Sequence, residues 1–269
     1  MLFHRSKFLR MCACALLVLT CLFTAGCFKA ESHRLHPEPS SGEITQPPTP
    51  VVDNRPRVAL TYDDGPHNIR TKKIVDELDK YGYHATFFVV GNRVDGTAYS
   101  GGAAMVYAAE HGNEIGIHGY THETGISYSS CSDERYEYEI LNTLQAIQEK
   151  IPGYEVRVMR PFGGSISGTR VAESPFAVVN WNVDTLDYAN KYDEGDPEKI
   201  NTIIENALSD IDDGDIILMH DIYNNTYEAT VIILQRLNEM GFNVVTVSEL
   251  LGDDLQPGVR YTHGNKREQ

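Results

Sequence analysis

A chain of 269 residues with 41% hydrophobic content holds enough apolar material for one sizeable core, so one catalytic-size domain with extensions is expected and a disordered chain is excluded. The formal net charge of −15 has the wrong sign for gripping phosphate backbones and argues against nucleic acid as a partner. Four of the five cysteines, Cys12, Cys14, Cys21 and Cys27, crowd into the first 27 positions, so Cys131 stands alone and neither an intradomain disulfide nor a thiolate-rich zinc site is available downstream.

In chain order, Arg5, Lys7 and Arg10 precede an uncharged apolar run over 11–25, too short to span a bilayer and patterned as the core of an export signal. Thr24-Ala25-Gly26-Cys27 resembles the lipobox of bacterial lipoproteins, in which the Cys becomes the lipidated first residue. Thr24 stands where an aliphatic residue is usual, and plain signal cleavage or an uncleaved anchor are the alternatives. Export, with a membrane anchor through signal or lipid, is therefore expected for 1–27. Residues 28–55 are polar and Pro-rich without apolar periodicity and read as a semi-extended tether with a reach on the order of 90 Å.

From Arg57 onward short apolar runs alternate with amphipathic segments, the signature of strand-helix units around a largely parallel sheet. Strands are expected at 58–62, 85–90, 114–118, 156–160, 177–182, 215–220 and 242–246. Helices are expected over 71–81 and 102–111, closed by Gly82 and Gly112, and from Ser132-Asp133 to Lys150. Asp196-Pro197 opens a fourth and 228–240 holds a fifth. This reads as an α/β fold, an irregular (β/α) barrel of seven strands over 56–252, followed by a polar tail over 253–269. A monomer is expected.

The unusual polar residues gather at one end of these strands. Asp63 and Asp64 close the first, His118 the third, Arg160 the fourth and His220 the sixth, while Asp184 and Asp187 follow the fifth. In α/β barrels the C-terminal strand ends are where active sites are built. Two adjacent carboxylates repel, and a fold keeps such a pair mainly where a cation or a proton-transfer task compensates. His118 and His122 stand four apart, but Gly119 occupies the position where a zincin helix carries Glu. With a nearby carboxylate the pair makes a two-His-one-carboxylate set, which suits zinc and leaves positions for water and substrate. Non-haem iron oxygenases use the same ligand types; the second carboxylate and His220 supply a base and an acid, which tilts the choice to hydrolysis.

These residues also carry a family likeness. The chain resembles the polysaccharide deacetylase family, the NodB-homology domain of carbohydrate esterase family four. Its T-F-D-D-G-P motif is matched by Thr61-Tyr62-Asp63-Asp64-Gly65-Pro66, and H-x-x-x-H by His118 to His122. The Arg-Pro motif corresponds to Arg160-Pro161-Phe162-Gly163-Gly164, D-x-x-D-W to Asp184-Thr185-Leu186-Asp187-Tyr188, and L-x-H to Leu218-Met219-His220. Phe162 stands for the usual Pro, Tyr188 for Trp and Tyr62 for Phe.

The resemblance implies Asp63 as general base, Arg160 as its orienting partner, and Asp64, His118 and His122 as ligands of a divalent metal, zinc with cobalt as alternative. It implies His220 as general acid, with Asp187 fixing its tautomer. The backbone N–H of Phe162 or Gly163 would hold the oxyanion, since Pro161 has none, and Leu218 and Tyr188 would wall the acetyl-methyl pocket. The implied reaction is removal of N-acetyl groups from a cell-surface glycan, peptidoglycan first, with chitooligosaccharide or exopolysaccharide open. A catalytically silent glycan-binding lipoprotein is the rival from another class.

Other features have plain readings: His67, His84 and His111 as surface or loop residues, Trp181 as core, and Asp221 as structural. Tyr128, Tyr136 and Tyr138 read first as a helix-packing stripe, with contact to sugar rings as the alternative, and Asn224-Asn225-Thr226 reads as a sequon without consequence.

Overall fold

Strand β1 (Arg57–Asp63) is buried along all but its first residue, as a strand covered on both faces must be. It lies centrally in a computed structural model that describes residues 53–97, 100–123, 125–192, 194–264 and 266–268. The export segment and nearly all of the tether fall outside the described residues.

Beside β1 run β2 (Thr86–Val90) and, on the other edge, β7 (Ile216–His220), both parallel. Beyond β2 come β3 (Glu114–Gly119), β4 (Val158–Met159), β5 (Ala177–Val179) and β9 (Arg260–His263), and β6 (Val183–Asp184) lies beyond β7. β8 (Asn243–Val244) pairs with the start of β1, and β10 (Lys266–Glu268) runs antiparallel to β9. The sheet has ten strands, not seven, and the run β9-β5-β4-β3-β2-β1-β7-β6 is parallel throughout.

Two departures account for the difference. The stretch expected as one strand over 177–182 breaks at Asn180–Asn182: Asn182 turns to donate to Asp215 and to accept from the Ile216 amide, and the chain restarts as β6 against β7. The residues expected as a polar tail return to the sheet, with Tyr261 of β9 buried in the core and pairing parallel to β5.

The break also explains the curvature. β5 and β6 are separated by six inter-strand steps, ~29 Å if the sheet were flat. Only Asn180, Trp181 and Asn182 connect them, and the chain from Val179 to Val183 reaches no more than ~15 Å. The sheet therefore curls towards closure, as an irregular barrel does.

Helices cover the outside: α1 (Arg70–Asp79), α2 (Gly91–Val94), α3 (Gly102–Glu110), α4 (Asp133–Lys150), α5 (Gly168–Glu173), α6 (Pro197–Leu208), α7 (Asn224–Glu239) and α8 (Val247–Leu251). Ser132 caps α4 by accepting from the Arg135 amide, and Asp196 caps α6 ahead of Pro197 as its sequence signals require. The short α2, α5 and α8 carry less than two turns of periodicity and leave little pattern to read. Among the described residues no helix is long and apolar enough to cross a membrane.

Candidate active site

The register of β1 and β7 sets Asp63 directly against His220, so the carboxylate and the imidazole stand on neighbouring strand ends. Arg160, wholly buried just past β4, locks Asp63: its Nη1 donates to Asp63 Oδ1 at 2.9 Å and to Thr61 Oγ1 at 2.7 Å. Nε donates to Val179 O and Nη2 to Asn180 O, each at 3.0 Å, and the guanidinium lies over the ring of Phe88 with Trp181 beyond it. Trp181, expected as core, is half-buried and serves as a wall of this charge. A guanidinium so enclosed is held by its one carboxylate partner. Arg160→Met leaves Asp63 as an uncompensated buried charge and should cost about 3–5 kcal/mol, measured as a lower denaturant midpoint at unchanged m-value.

At the other wall Asp187, also fully buried, accepts from His220 Nδ1 and from the His220 amide, each at 2.7 Å. The Tyr188 amide donates to it at 2.8 Å and Thr226 Oγ1 at 2.7 Å. Burial alone would depress the His220 imidazole; the Asp187 hydrogen bond and charge, with the fields of Asp64 and Asp63, outweigh it and push the pKa up to about 9. Asp187→Asn removes the dominant opposing charge. The pKa of His220 should then fall from about 9, a shift that NMR of the imidazole resonances reads directly.

Between these walls Asp64, His118 and His122 bring one ligand atom each to within 4.8 Å of one another. His122 Nε2 is 2.9 Å and His118 Nε2 3.5 Å from Asp64 Oδ1. His118 Nδ1 lies 2.9 Å from Arg160 O, which assigns its proton to Nδ1 and aims the Nε2 lone pair inward. Burial, against the pull of Asp63 and Asp64, lowers the pKa of His118 and favours the neutral form a ligand needs. Burial would raise Asp64, but contact with His122 and the charges of both histidines hold it below the usual carboxylate range.

Asp64 Oδ1 is buried yet accepts no hydrogen bond, an orphaned oxygen facing two imidazole nitrogens. That donor set, hard oxygen plus two borderline nitrogens, fits zinc or cobalt. Backbone strain marks the same residues: Asp64 (φ 68°) and His122 (φ 48°) are two of three non-glycine residues with positive φ among those described. Each such residue costs of the order of 1–3 kcal/mol, a cost that folds retain where the geometry is used.

The remaining expected residues fall around this centre. Phe162 packs its ring against both His118 and His122, centroids 5.2 and 4.6 Å apart, and opens the short 3-10 turn Phe162–Gly164 in which Gly163 takes φ 53°. Leu218 is buried on β7, while Tyr188 is half-exposed and meets the His220 ring edge-on at 5.7 Å.

Two supports were not legible in the sequence. Glu139, buried on α4, accepts from the Tyr120 and Thr121 amides and from Thr121 Oγ1, pinning the loop that carries His122. Its only sequence signal is a charge on a helix face otherwise made of Ile140, Thr143, Ala146 and Ile147. Thr226, read as part of an inert sequon, steadies Asp187, and nothing local announces it.

Comparison with known proteins accords with this geometry. The family model Polysaccharide deacetylase matches residues 51–175. A peptidoglycan-N-acetylglucosamine deacetylase of Bacillus cereus is 34% identical over 209 residues, which is 75% of this chain and 91% of the relative. The chain belongs to the polysaccharide deacetylase family. The peptidoglycan-N-acetylmuramic acid deacetylase PdaC of Bacillus subtilis is 33% identical over 216 residues, 79% of this chain but 43% of its own length, so this chain spans less than half of that relative. Among solved structures, a family 4 acetyl xylan esterase from Clostridium thermocellum in complex with a cobalt ion aligns with a TM-score of 0.67 at 28% identity, over 78% of this chain and all of the other.

Proposed function

We propose that the protein is a metal-dependent hydrolase that removes N-acetyl groups from sugars of a cell-surface polysaccharide, peptidoglycan first. The observation that carries this reading is the pairing of an Arg160-locked Asp63 with an Asp187-locked His220 on either side of the Asp64, His118 and His122 set. Those three residues would hold the divalent cation, which when bound supplies Lewis-acid polarisation and lowers the pKa of water.

The chain's own groups do the rest. Asp63, aimed by Arg160, takes a proton from the attacking water as its oxygen bonds to the amide carbon. The backbone N–H of Phe162 or Gly163 donates to the oxyanion. His220 gives its proton to the sugar nitrogen as the carbon–nitrogen bond breaks, releasing acetate and the free amine. Its raised pKa keeps that proton in place at neutral pH. Leu218 and Tyr188 bound the space for the acetyl methyl, which favours a small acyl group.

Acetate release from N-acetylated glycans by the zinc- or cobalt-loaded protein, without oxygen or 2-oxoglutarate, tests the reaction and separates it from oxygenase chemistry. Binding of glycan with no acetate released by any preparation would favour the silent glycan-binding reading instead. The export segment and the Pro-rich tether support a place outside the cell, anchored at the membrane and reaching into the wall.

A further inference from the structure

Between β5 and β6 the chain breaks at Asn180–Asn182, and the two asparagines do different work. Asn182 makes the break, through Asp215 and the Ile216 amide. The Asn180 side chain makes none of those bonds and reaches across to the loop after β4, where its Nδ2 donates to Gly164 O at 3.0 Å. Its main chain is tied on both sides: the amide donates to Tyr261 O at 2.8 Å, and the carbonyl accepts from Arg160 Nη2 at 3.0 Å. The orientation of the side chain follows, since Oδ1 against Gly164 O would set acceptor against acceptor. Oδ1 is thereby left buried without a donor, a cost that a residue serving only to end a strand has no reason to bear.

Gly164 closes the turn Phe162–Gly164, which carries the oxyanion donors. The Gly164 and Ser165 amides are spent on the turn itself, donating to Pro161 O at 2.9 Å and to Phe162 O at 3.2 Å. Among the described residues no acceptor meets the Phe162 and Gly163 amides, which leaves both for a ligand. The backbone that points them holds two successive glycines in left-handed conformation, Gly163 at φ 53° and Gly164 at φ 71°, a pair free to adopt many others. Packing fixes the turn at its start, where the Phe162 ring lies against His118, His122 and Tyr128. It does not fix Gly163, where a Cβ would meet no atom within 4 Å. At Gly164 a Cβ would lie 3.0 Å from Asn180 Nδ2 and 3.2 Å from the Trp181 ring, so Asn180 is both a wall and a hydrogen-bond donor for the second glycine. Ser165 beyond it is bonded to Ser127 and Ser129 through exposed hydroxyls, where water competes.

One residue therefore touches both halves of the reaction geometry. Its carbonyl steadies the guanidinium that aims Asp63, and its side chain steadies the turn whose N–H groups face the oxyanion. As the water oxygen bonds to the amide carbon, its proton leaves for Asp63 while charge grows on the carbonyl oxygen. Base and donor must hold their separation through that step.

We propose that Asn180 is a positioning residue for deacetylation, clamping the Gly163–Gly164 turn through its side-chain amide while its carbonyl holds Arg160, so that the oxyanion donors stay in register with Asp63. The inference rests on the deacetylase reading above.

The test compares the full zinc-loaded chain with Asn180→Leu, which keeps the size of the side chain and the main-chain bonds to Tyr261 and Arg160 but has no donor. The substitution bares Gly164 O and also removes an acceptor that had no partner, so the denaturant midpoint should move little. On an N-acetylglucosamine hexamer, kcat should fall about tenfold or more with KM within about twofold of the parent, the mark of an interaction made in the transition state. The inhibition constant of a hexamer carrying a methylphosphonamidate in place of one acetamido group, a tetrahedral anion, should rise by the same factor as kcat/KM falls. A smaller loss of kcat, a loss matched by a lower denaturant midpoint, or an unchanged phosphonamidate affinity overturns the proposal. Should Asn180→Leu fail to fold, Asn180→Ala, which adds no atoms, carries the same comparison, and its failure to fold would make the role structural and overturn the proposal too. In each of these cases the parent still releases acetate and the deacetylase reading survives. No acetate from the parent on any N-acetylated glycan overturns that reading and this one with it.

Discussion

Asp63→Asn should retain zinc at the parent's stoichiometry and lose turnover by about a thousandfold, within the range expected when a positioned general base is removed. The substitution is nearly isosteric. The Asn carbonyl oxygen still accepts from Arg160 Nη1, which keeps its hydrogen bonds to Thr61, Val179 and Asn180, so the fold and the neighbouring strand end stay in register. What is lost is the capacity to take a proton, because an amide oxygen is not a useful base near neutral pH. Metal content and acetate release measured on one preparation check both halves. Turnover within tenfold of the parent would assign the base to another group.

Asp64→Asn should do the reverse, weakening zinc affinity by at least about a hundredfold, since loss of a first ligand exceeds the 10–100-fold typical of outer supports. Asn is among the non-glycine residues that best tolerate the left-handed backbone Asp64 adopts at φ 68°, so the substitution removes a ligand charge without adding strain. The orphaned Oδ1 between His118 and His122 is the atom at stake. A dialysed variant that keeps a full equivalent of zinc would show that this triad is not the metal site. Excess zinc should restore part of the activity of Asp64→Asn and none of that of Asp63→Asn. Adjacent, chemically identical side chains thus separate by function: one faces the guanidinium, the other the imidazoles.

The gathering of Asp63, Asp64, His118, Arg160, Asp187 and His220 at one pole was readable because strand ends and spacings are local properties. An apolar run that stops at a charged residue marks a strand terminus whatever the rest of the chain does. The same locality explains why the long helices and their caps at Ser132 and Asp196 match, while the two- and three-residue strands do not. Asp221 shows where the reading thins. It is wholly buried beneath the turn after the carboxylate pair, bonded to Thr71 Oγ1, and a Cβ on Gly65 would lie 2.3 Å from its Oδ1. Structural is the right word for it, but that it dictates glycine in the Asp63-Asp64-Gly65-Pro66 turn emerges only when β7 lies beside β1.

By itself the sequence determined the α/β class, the order of the long elements and which side chains gather at the strand ends, since these follow from periodicity, caps and residue type over a few neighbouring positions. Tertiary structure alone decided the curl of the sheet, the return of Tyr261 into the core and the split of 177–182 into two strands. It also decided that Glu139 braces the His122 loop, that Thr226 braces Asp187, and that Arg93 lines one cavity with Asp64 and His122. Each of those depends on pairings between residues tens of positions apart. No local preference encodes such a pairing; it arises when strand register and helix packing bring the two side chains to the same place.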